Sequence, residues 1–133
     1  MNCIVYSIFN NDTICYCPQM LDKGGVIMYK IAFYVPESHC ETVKEALFHA
    51  GAGKFQHYDQ VCWQVLGEGQ FRPLAGSNPN IGNQEQLERL LEYRVEMICQ
   101  EDRIERVVQA LLQAHPYEAP AYEVIALAWP KST

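Results

Sequence analysis

Hydrophobic residues recur every three or four positions in two stretches of the chain, a pattern that predicts two amphipathic helices. In the first stretch these positions are Cys40, Val43, Ala46, Leu47 and Ala50. Ser38 and Glu41 have the spacing of a capping box, so we expect this helix to begin at Ser38. Gly51 follows as a residue suited to the left-handed conformation that ends many helices.

The second stretch has the stronger helical pattern. Its hydrophobic positions are Ile104, Val107, Val108, Leu111 and Leu112. Asp102 and Glu105 form a second expected capping box. Pro116 disfavours helical geometry in the residue before it, His115, and so ends the helix. Burial of five such side chains contributes roughly 1.5 to 3 kcal/mol each before conformational entropy is subtracted, which assigns this helix face to the core.

Four further stretches are predicted to be strands. The first and the last, residues 29–35 and 122–128, are short runs rich in β-forming residues. In the second, Val61, Trp63 and Val65 alternate with glutamine and cysteine, so we expect their face to be buried. In the third, hydrophobic residues at positions 91, 93, 95, 97 and 99 alternate with mostly polar ones, which is typical of a half-solvated antiparallel strand.

The order β-α-β-β-α-β predicts an α+β fold, a ferredoxin-like sandwich in which two helices cover one face of a four-stranded antiparallel sheet. The other sheet face is then left without a helix. A domain of this size commonly buries such a face by self-association, and we expect Trp63, Tyr93 or the polar residues opposite them to lie there.

The chain divides at Met28. Residues 1–27 show neither helical nor strand periodicity and are expected to be an N-terminal extension, followed by one domain over residues 28–128 and a short tail over 129–133. Lys23-Gly24-Gly25 can be encoded by a sequence resembling a bacterial ribosome-binding site at a suitable distance from Met28. We therefore hypothesise that translation starts at Met28. The alternative is a genuine N-terminal tail or an additional edge strand.

Composition narrows the classes of partner. With a net charge of -6, a pI near 5.1 and no run of Lys or Arg, the chain is not expected to bind nucleic acid or a membrane. The apolar run at residues 3–9 has no basic region before it and is too short to span a membrane. The six scattered cysteines are interpreted as reduced thiols of a cytoplasmic protein.

A set of spaced motifs runs through the predicted domain. They are Ala50-Gly51-Ala52-Gly53, Tyr58-Asp59, Cys62, Gly67-Glu68-Gly69-Gln70-Phe71-Arg72-Pro73, Asn78-Pro79-Asn80-Ile81-Gly82, Glu92, Arg94-Val95-Glu96 and the run from His115 to Tyr122. Together and in this order they resemble the domain inserted into YqfO-type proteins of the Nif-three-like family.

The resemblance implies a fold similar to CutA and the PII signalling proteins, and by analogy a homo-oligomer, with a trimer favoured and a dimer as the alternative. Longer relatives carry a dinuclear metal site in a separate domain that this chain is too short to contain, so their proposed hydrolase activity is not expected here. Two segments depart from the family. Lys54-Phe55-Gln56-His57 replaces a more basic, glycine-containing turn, and Gln84-Glu85-Gln86 replaces a glycine-bearing connection.

The connection between the middle strands, residues 67–82, is predicted to be a long loop. The resemblance to PII proteins implies that a loop at this place contacts a partner protein. The candidates for that contact are Glu68, Phe71, Arg72, Asn78 and Asn80. The alternative is an ordered structural loop or a subunit contact. Gly67 and Gly69 do not predict a phosphate loop, because no helix start follows them to bind the anion.

The run after the second helix supplies three more interaction candidates, His115, Tyr117 and Glu118. An imidazole and a carboxylate at this spacing would suit a metal site or an acid-base pair. The alternative is a rigid helix stop between prolines, with His115 bonded to the last helix carbonyls. No catalytic residue, metal ligand or cofactor is assigned.

The sequence therefore predicts a non-catalytic, self-associating binding or regulatory module. A divalent-metal-binding protein of the CutA type is the alternative, motivated by the run from His115 to Glu118. An enzyme with a site at a subunit interface is the third hypothesis.

Overall fold

The structure is a computed structural model that describes residues 6–7 and 28–127. Its elements in chain order are β1 (Tyr6–Ser7), β2 (Met28–Pro36), α1 (Glu37–Ala50), β3 (Trp63–Phe71), β4 (Glu88–Gln100), a 3-10 helix (Glu101–Arg103), α2 (Ile104–Ala114) and β5 (Tyr122–Leu127). The translation-start hypothesis concerns residues that, apart from Tyr6–Ser7, lie outside those described, as does the predicted tail at 129–133.

The strands form one sheet in the order β1-β5-β2-β4-β3, and every neighbouring pair is antiparallel. Strands β2 to β5 together with the two helices make the predicted ferredoxin-like arrangement, which is confirmed. Strand β1 adds two residues to the edge beside β5. Part of the segment expected to be an appendage therefore pairs with the sheet.

One cluster of buried side chains joins the helices to one face of the sheet. Alternate residues of β2 and β4 supply the sheet side, and both helices supply the other side. Leu112, predicted to belong to the core face of the second helix, is instead 43% exposed, because it lies at the edge of the apolar stripe. The fully buried large side chains include Ile31, Phe33, Val35, Val43, Leu47, Val95, Val107 and Leu111. Tyr93, one candidate for the helix-free face, instead packs against this core. That expectation was wrong, because Tyr93 shares the face of Val95 two positions along β4.

Neither predicted capping box forms. The N-cap of α1 is Pro36 and that of α2 is Arg103, and neither makes a side-chain capping hydrogen bond. Strand β2 runs directly into α1 at Glu37, so Ser38 lies inside the first turn of the helix and not at its cap. A 3-10 turn precedes α2 in place of the second box. The predicted end of α1 is confirmed by Gly51, which has a φ of 112°.

The apolar face of β3 is exposed in the single chain, contrary to expectation. Trp63 and Val65 are 59% and 43% exposed, and they lie opposite Glu96 and Arg94 of β4. These β4 residues point to the sheet face that carries no helix, because Val95 between them points into the core. Trp63 therefore lies on the helix-free face, as one expectation had it, but the expected burial of this face does not occur within the single chain.

Both departures from the family pattern coincide with left-handed backbone. Gln56 has a φ of 51° and Glu85 a φ of 63°. Gln56 lies in a tight turn closed by two 2.9 Å hydrogen bonds between the backbones of Phe55 and Tyr58. The amide of Glu85 donates to the carbonyl of Pro73 at 2.7 Å. The surrounding hydrogen bonds thus keep a geometry that glycine adopts more readily than glutamine or glutamate.

We expect Gln56→Gly and Glu85→Gly each to stabilise the protein by about 0.5 to 1 kcal/mol, because relief of left-handed strain outweighs the extra chain entropy of glycine. Chemical denaturation measures the change in the free energy of unfolding. Lys54→Gly is the control, since Lys54 is exposed and outside the positive-φ set, and it should lower stability. A loss of stability in both test variants would contradict the prediction.

Candidate functional site

Strands β3 and β4 continue as a pair beyond the end of β2. Pro36, the last residue of β2, pairs with Glu92, whereas the β3–β4 ladder extends to the pair Phe71–Glu88. The hairpin arm, defined here as residues 67–91, therefore extends past the central sheet. Glu68 and Phe71, predicted to lie in a loop, belong to β3. The predicted loop boundary was wrong, because the ladder continues through two glycines, and the connection spans residues 72–87.

Glycine in the arm makes room for an acidic side chain. Gly67 pairs with Glu92, and a Cβ placed on Gly69 would overlap the carboxylate of Glu92. Glu92 therefore lies across β3 on the helix-free side. This packing gives Gly69 a structural reason.

The turn after α2 is fixed by His115, which is 6% exposed. The backbone amide of Tyr117 donates to Nδ1 of His115 at 3.1 Å, and Nε2 lies 2.7 Å from the carbonyl oxygen of Tyr34. A carbonyl only accepts hydrogen bonds, so the ring proton is assigned to Nε2. The two ring nitrogens are both in use, and His115 has no lone pair left for a metal ion.

Tyr117 connects this turn to the hairpin arm. Its hydroxyl donates to Oε2 of Glu92 at 3.1 Å, and its ring lies 6.5 Å from that of Phe71 between centroids. Burial, followed by the charge of Glu92 and this hydrogen bond, raises the pKa of Tyr117. The phenol therefore stays a hydrogen-bond donor to Glu92 at neutral pH.

A second contact joins the arm to the turn. The backbone amide of Asn78 donates to Oε1 of Glu118 at 3.1 Å. The structure thus brings together five of the eight predicted interaction candidates, Phe71, Asn78, His115, Tyr117 and Glu118. The other three lie on the exposed surface of the arm: Glu68 pairs with Arg89 at 3.2 Å, and Arg72 and Asn80 are exposed.

A polar network on the helix-free face was not among the predicted sites. Arg94 lies 3.1 Å from Glu96 and 3.3 Å from Glu123, donates to the hydroxyl of Tyr34 and lies over the ring of that tyrosine. Lys30 extends the network through Glu96 at 3.5 Å. The alternation of β4 indicated that Arg94 and Glu96 share a face, but the partners Tyr34 and Glu123 come from β2 and β5, whose register the sequence does not show.

Metal-binding clusters and membrane-spanning helices are both absent from the described residues. Within residues 28–127 no group of three His, Cys, Asp or Glu side chains is placed to hold a metal ion. In the same part of the chain, no helix is long and apolar enough to cross a membrane.

The fold belongs to the CutA-like and PII-like ferredoxin class. CutA of Xylella fastidiosa superposes with a TM-score of 0.57 at 15% identity, over 77% of this chain and 86% of that one. At that identity the likeness concerns the fold alone. No protein-family model matches the chain.

Closer relatives share sequence as well as fold. The chain is 42% identical over 101 residues to a Halalkalibacterium halodurans protein named GTP cyclohydrolase 1 type 2 homolog, covering 76% of this chain and 27% of that protein. A Bacillus cereus protein related to NIF3 superposes with a TM-score of 0.68 at 36% identity, over 78% of this chain and 26% of that one. The chain is therefore related to a segment of the NIF3-related, YqfO-type proteins, as its motifs predicted. It spans about a quarter of the length of the curated relatives that it matches.

Proposed function

We propose that the chain is a non-catalytic, self-associating binding module, and that copies associate through β3 and the helix-free face. The observation that carries this proposal is the edge of the sheet. Among the described strands, β3 pairs with β4 on one side and with none on the other. An unpaired strand edge presents a row of amide and carbonyl groups that can pair with another chain.

The side chains of this edge favour burial. Trp63 and Val65 are alternate residues of β3 that point to the helix-free face, and both are substantially exposed. Leu66 and Leu91 are also exposed near this edge, but on the opposite face of the sheet, because Leu66 pairs with Tyr93 and Leu91 lies two positions from it. A concentration of large apolar side chains beside an unpaired edge is typical of a protein interface. The resemblance to CutA and PII proteins implies a trimer, with a dimer as the alternative.

The polar network centred on Arg94 favours an interface in which the subunits have one defined register. Its charges are half-buried and mutually paired, so a second copy that covers this face meets no unpaired charge from the network. Aligned polar groups inside an interface fix the register of the subunits more than they add to the affinity.

We propose further that the activity implied by the relatives' name, GTP cyclohydrolase 1 type 2 homolog, belongs to the part of those proteins that this chain does not match. The chain would then act as a binding or regulatory unit. Incubation of the purified chain with GTP, followed by chromatography of the nucleotides, is expected to show no turnover. Turnover that survives purification to constant specific activity would refute the non-catalytic assignment.

We expect Val65→Lys to weaken self-association by at least tenfold per contact, or about 1.4 kcal/mol, because it places an ammonium group in the proposed interface. Sedimentation velocity at micromolar concentration measures the assembly. Leu112→Lys is the matched control, since Leu112 on α2 and Val65 on β3 are both 43% exposed. A wild-type monomer would remove the proposal, and dissociation by Leu112→Lys alone would place the interface on the helices.

A further inference from the structure

The buried imidazole of His115 makes two hydrogen bonds of opposite kind. Nε2 donates to the carbonyl of Tyr34 on β2, and Nδ1 accepts from the amide of Tyr117 in the turn. Only the neutral ring with its proton on Nε2 satisfies both partners. A second proton has to sit on Nδ1, where it faces another N–H group. The hydrogen bond to Tyr117 is then lost, because neither group can accept.

Loss of the hydrogen bond between Tyr117 and His115 weakens the contact between the turn after α2 and the hairpin arm. Tyr117 packs against His115 edge-on, with 4.8 Å between ring centroids, and its hydroxyl holds Glu92. Its ring also faces Phe71 at the end of β3. The backbone of Tyr117 must move to relieve the clash with a protonated His115, and the phenol moves with it. Glu92 lies against Gly69, which has no side chain that could bind the carboxylate in place of the Tyr117 hydroxyl.

We propose that His115 is a proton-controlled latch that holds the hairpin arm against the turn when neutral and releases it when protonated. The release is a property of the single chain. Release would also affect assembly, because the released arm carries Leu91 and the end of β3. This second effect rests on the proposed self-association.

The groups around the ring set the direction of the pH effect. Burial, and beyond it the nearby His39 of α1, lower the pKa of His115 below its usual 6.5, while the bond to the Tyr34 carbonyl acts in the opposite direction. Glu92 of β4 reaches the ring only through Tyr117, and Glu118 is bonded to Asn78. A lowered pKa in the latched state means that the latch is stable above about pH 6.5 and weakens as the pH falls below it.

Two substitutions separate the two hydrogen bonds. His115→Asn keeps an acceptor near the position of Nδ1, as in an Asx turn, but does not titrate and cannot reach Tyr34. His115→Gln keeps a donor near the position of Nε2 but lacks the local acceptor for Tyr117. We expect the arm to stay latched at all pH values in the first variant and to be released at all pH values in the second.

Hydrogen exchange measured by mass spectrometry or NMR reports the latch. Protection factors, corrected for the intrinsic pH dependence of exchange, are compared between the arm strands at 67–71 and 88–91 and the central strand β2. In the wild type the arm is expected to lose up to about tenfold in protection for each pH unit below 6.5, while β2 is unchanged. An NMR titration of the His115 ring should give the same midpoint as the arm and needs no variant.

Arm protection that is independent of pH in the wild type, or that follows pH equally in His115→Asn, would overturn the latch. Sedimentation of the same samples tests the assembly separately. A protein that is monomeric at every pH but opens its arm in acid would refute self-association and leave the latch intact. An oligomer whose arm is indifferent to pH would do the reverse.

Discussion

Replacement of Gly53 by alanine is expected to destabilise the protein by about 3 kcal/mol, the sum of left-handed strain and overpacking. Gly53 has a φ of 72°, and a Cβ there would lie 2.8 Å from the backbone oxygen of Val61 and 2.8 Å from Cε1 of Phe48. Its amide also donates to the carbonyl of Ile98, and its carbonyl accepts from the amide of Val61, both at 2.8 Å. These two hydrogen bonds hold the backbone of Gly53 in place, so the chain cannot shift to make room for a methyl group.

Gly76→Ala is the control for Gly53→Ala. Gly76 has a φ of 93°, but nothing lies within 4 Å of its absent Cβ. This variant should lose only about 1 to 2 kcal/mol, the cost of a left-handed non-glycine residue. Urea titration of both variants gives the difference. Equal losses would mean that the segment around Gly53 relaxes to make room for the added methyl group and that overpacking adds nothing to the strain.

The helices and strands predicted best are those in which the spacing of apolar residues within the element determines which side chains are buried. The stripe from Ile104 to Leu112 placed Val107 and Leu111 in the core, and the alternation of β4 separated Val95 from Arg94. The orientation of β3 could not be predicted in this way. Trp63, Val65 and their neighbours share a face by local geometry, but the register that opposes Trp63 to Glu96 decides which face it is. That register joins residues 33 positions apart.

In the candidate site too, local sequence identified residues but did not show which of them meet. His115 and Glu118 were found from one short run, and Phe71 and Asn78 from the glycine-rich connection that follows the second strand. Their meeting depends on the length of the arm and on how the connection folds back, and neither is a local property. Glu92 was quoted among the family motifs, yet as one polar residue of an alternating strand it gave no sign that it holds Tyr117 across Gly69.

Arg94→Glu is expected to cost about 2 to 3 kcal/mol of folding stability, because it removes the cation shared by two largely buried carboxylates and adds a third negative charge. Glu96 and Glu123 are each about three-quarters buried, so solvent screens them incompletely. The loss should shrink as salt is raised from 0.01 M to 1 M, since the Debye length falls from about 30 Å to about 3 Å.

The control for Arg94→Glu is Arg89→Glu, which reverses an arginine of the same strand on the exposed arm. Arg89 pairs with Glu68, and both side chains are more than half exposed. An exposed pair of this kind contributes at most about 1 kcal/mol, so this reversal should cost far less than the one at Arg94. Thermal denaturation at low and high salt measures both variants. A salt-independent loss at Arg94, or equal losses at the two positions, would mean that Arg94 stabilises the sheet by covering Tyr34 and not by joining the two carboxylates.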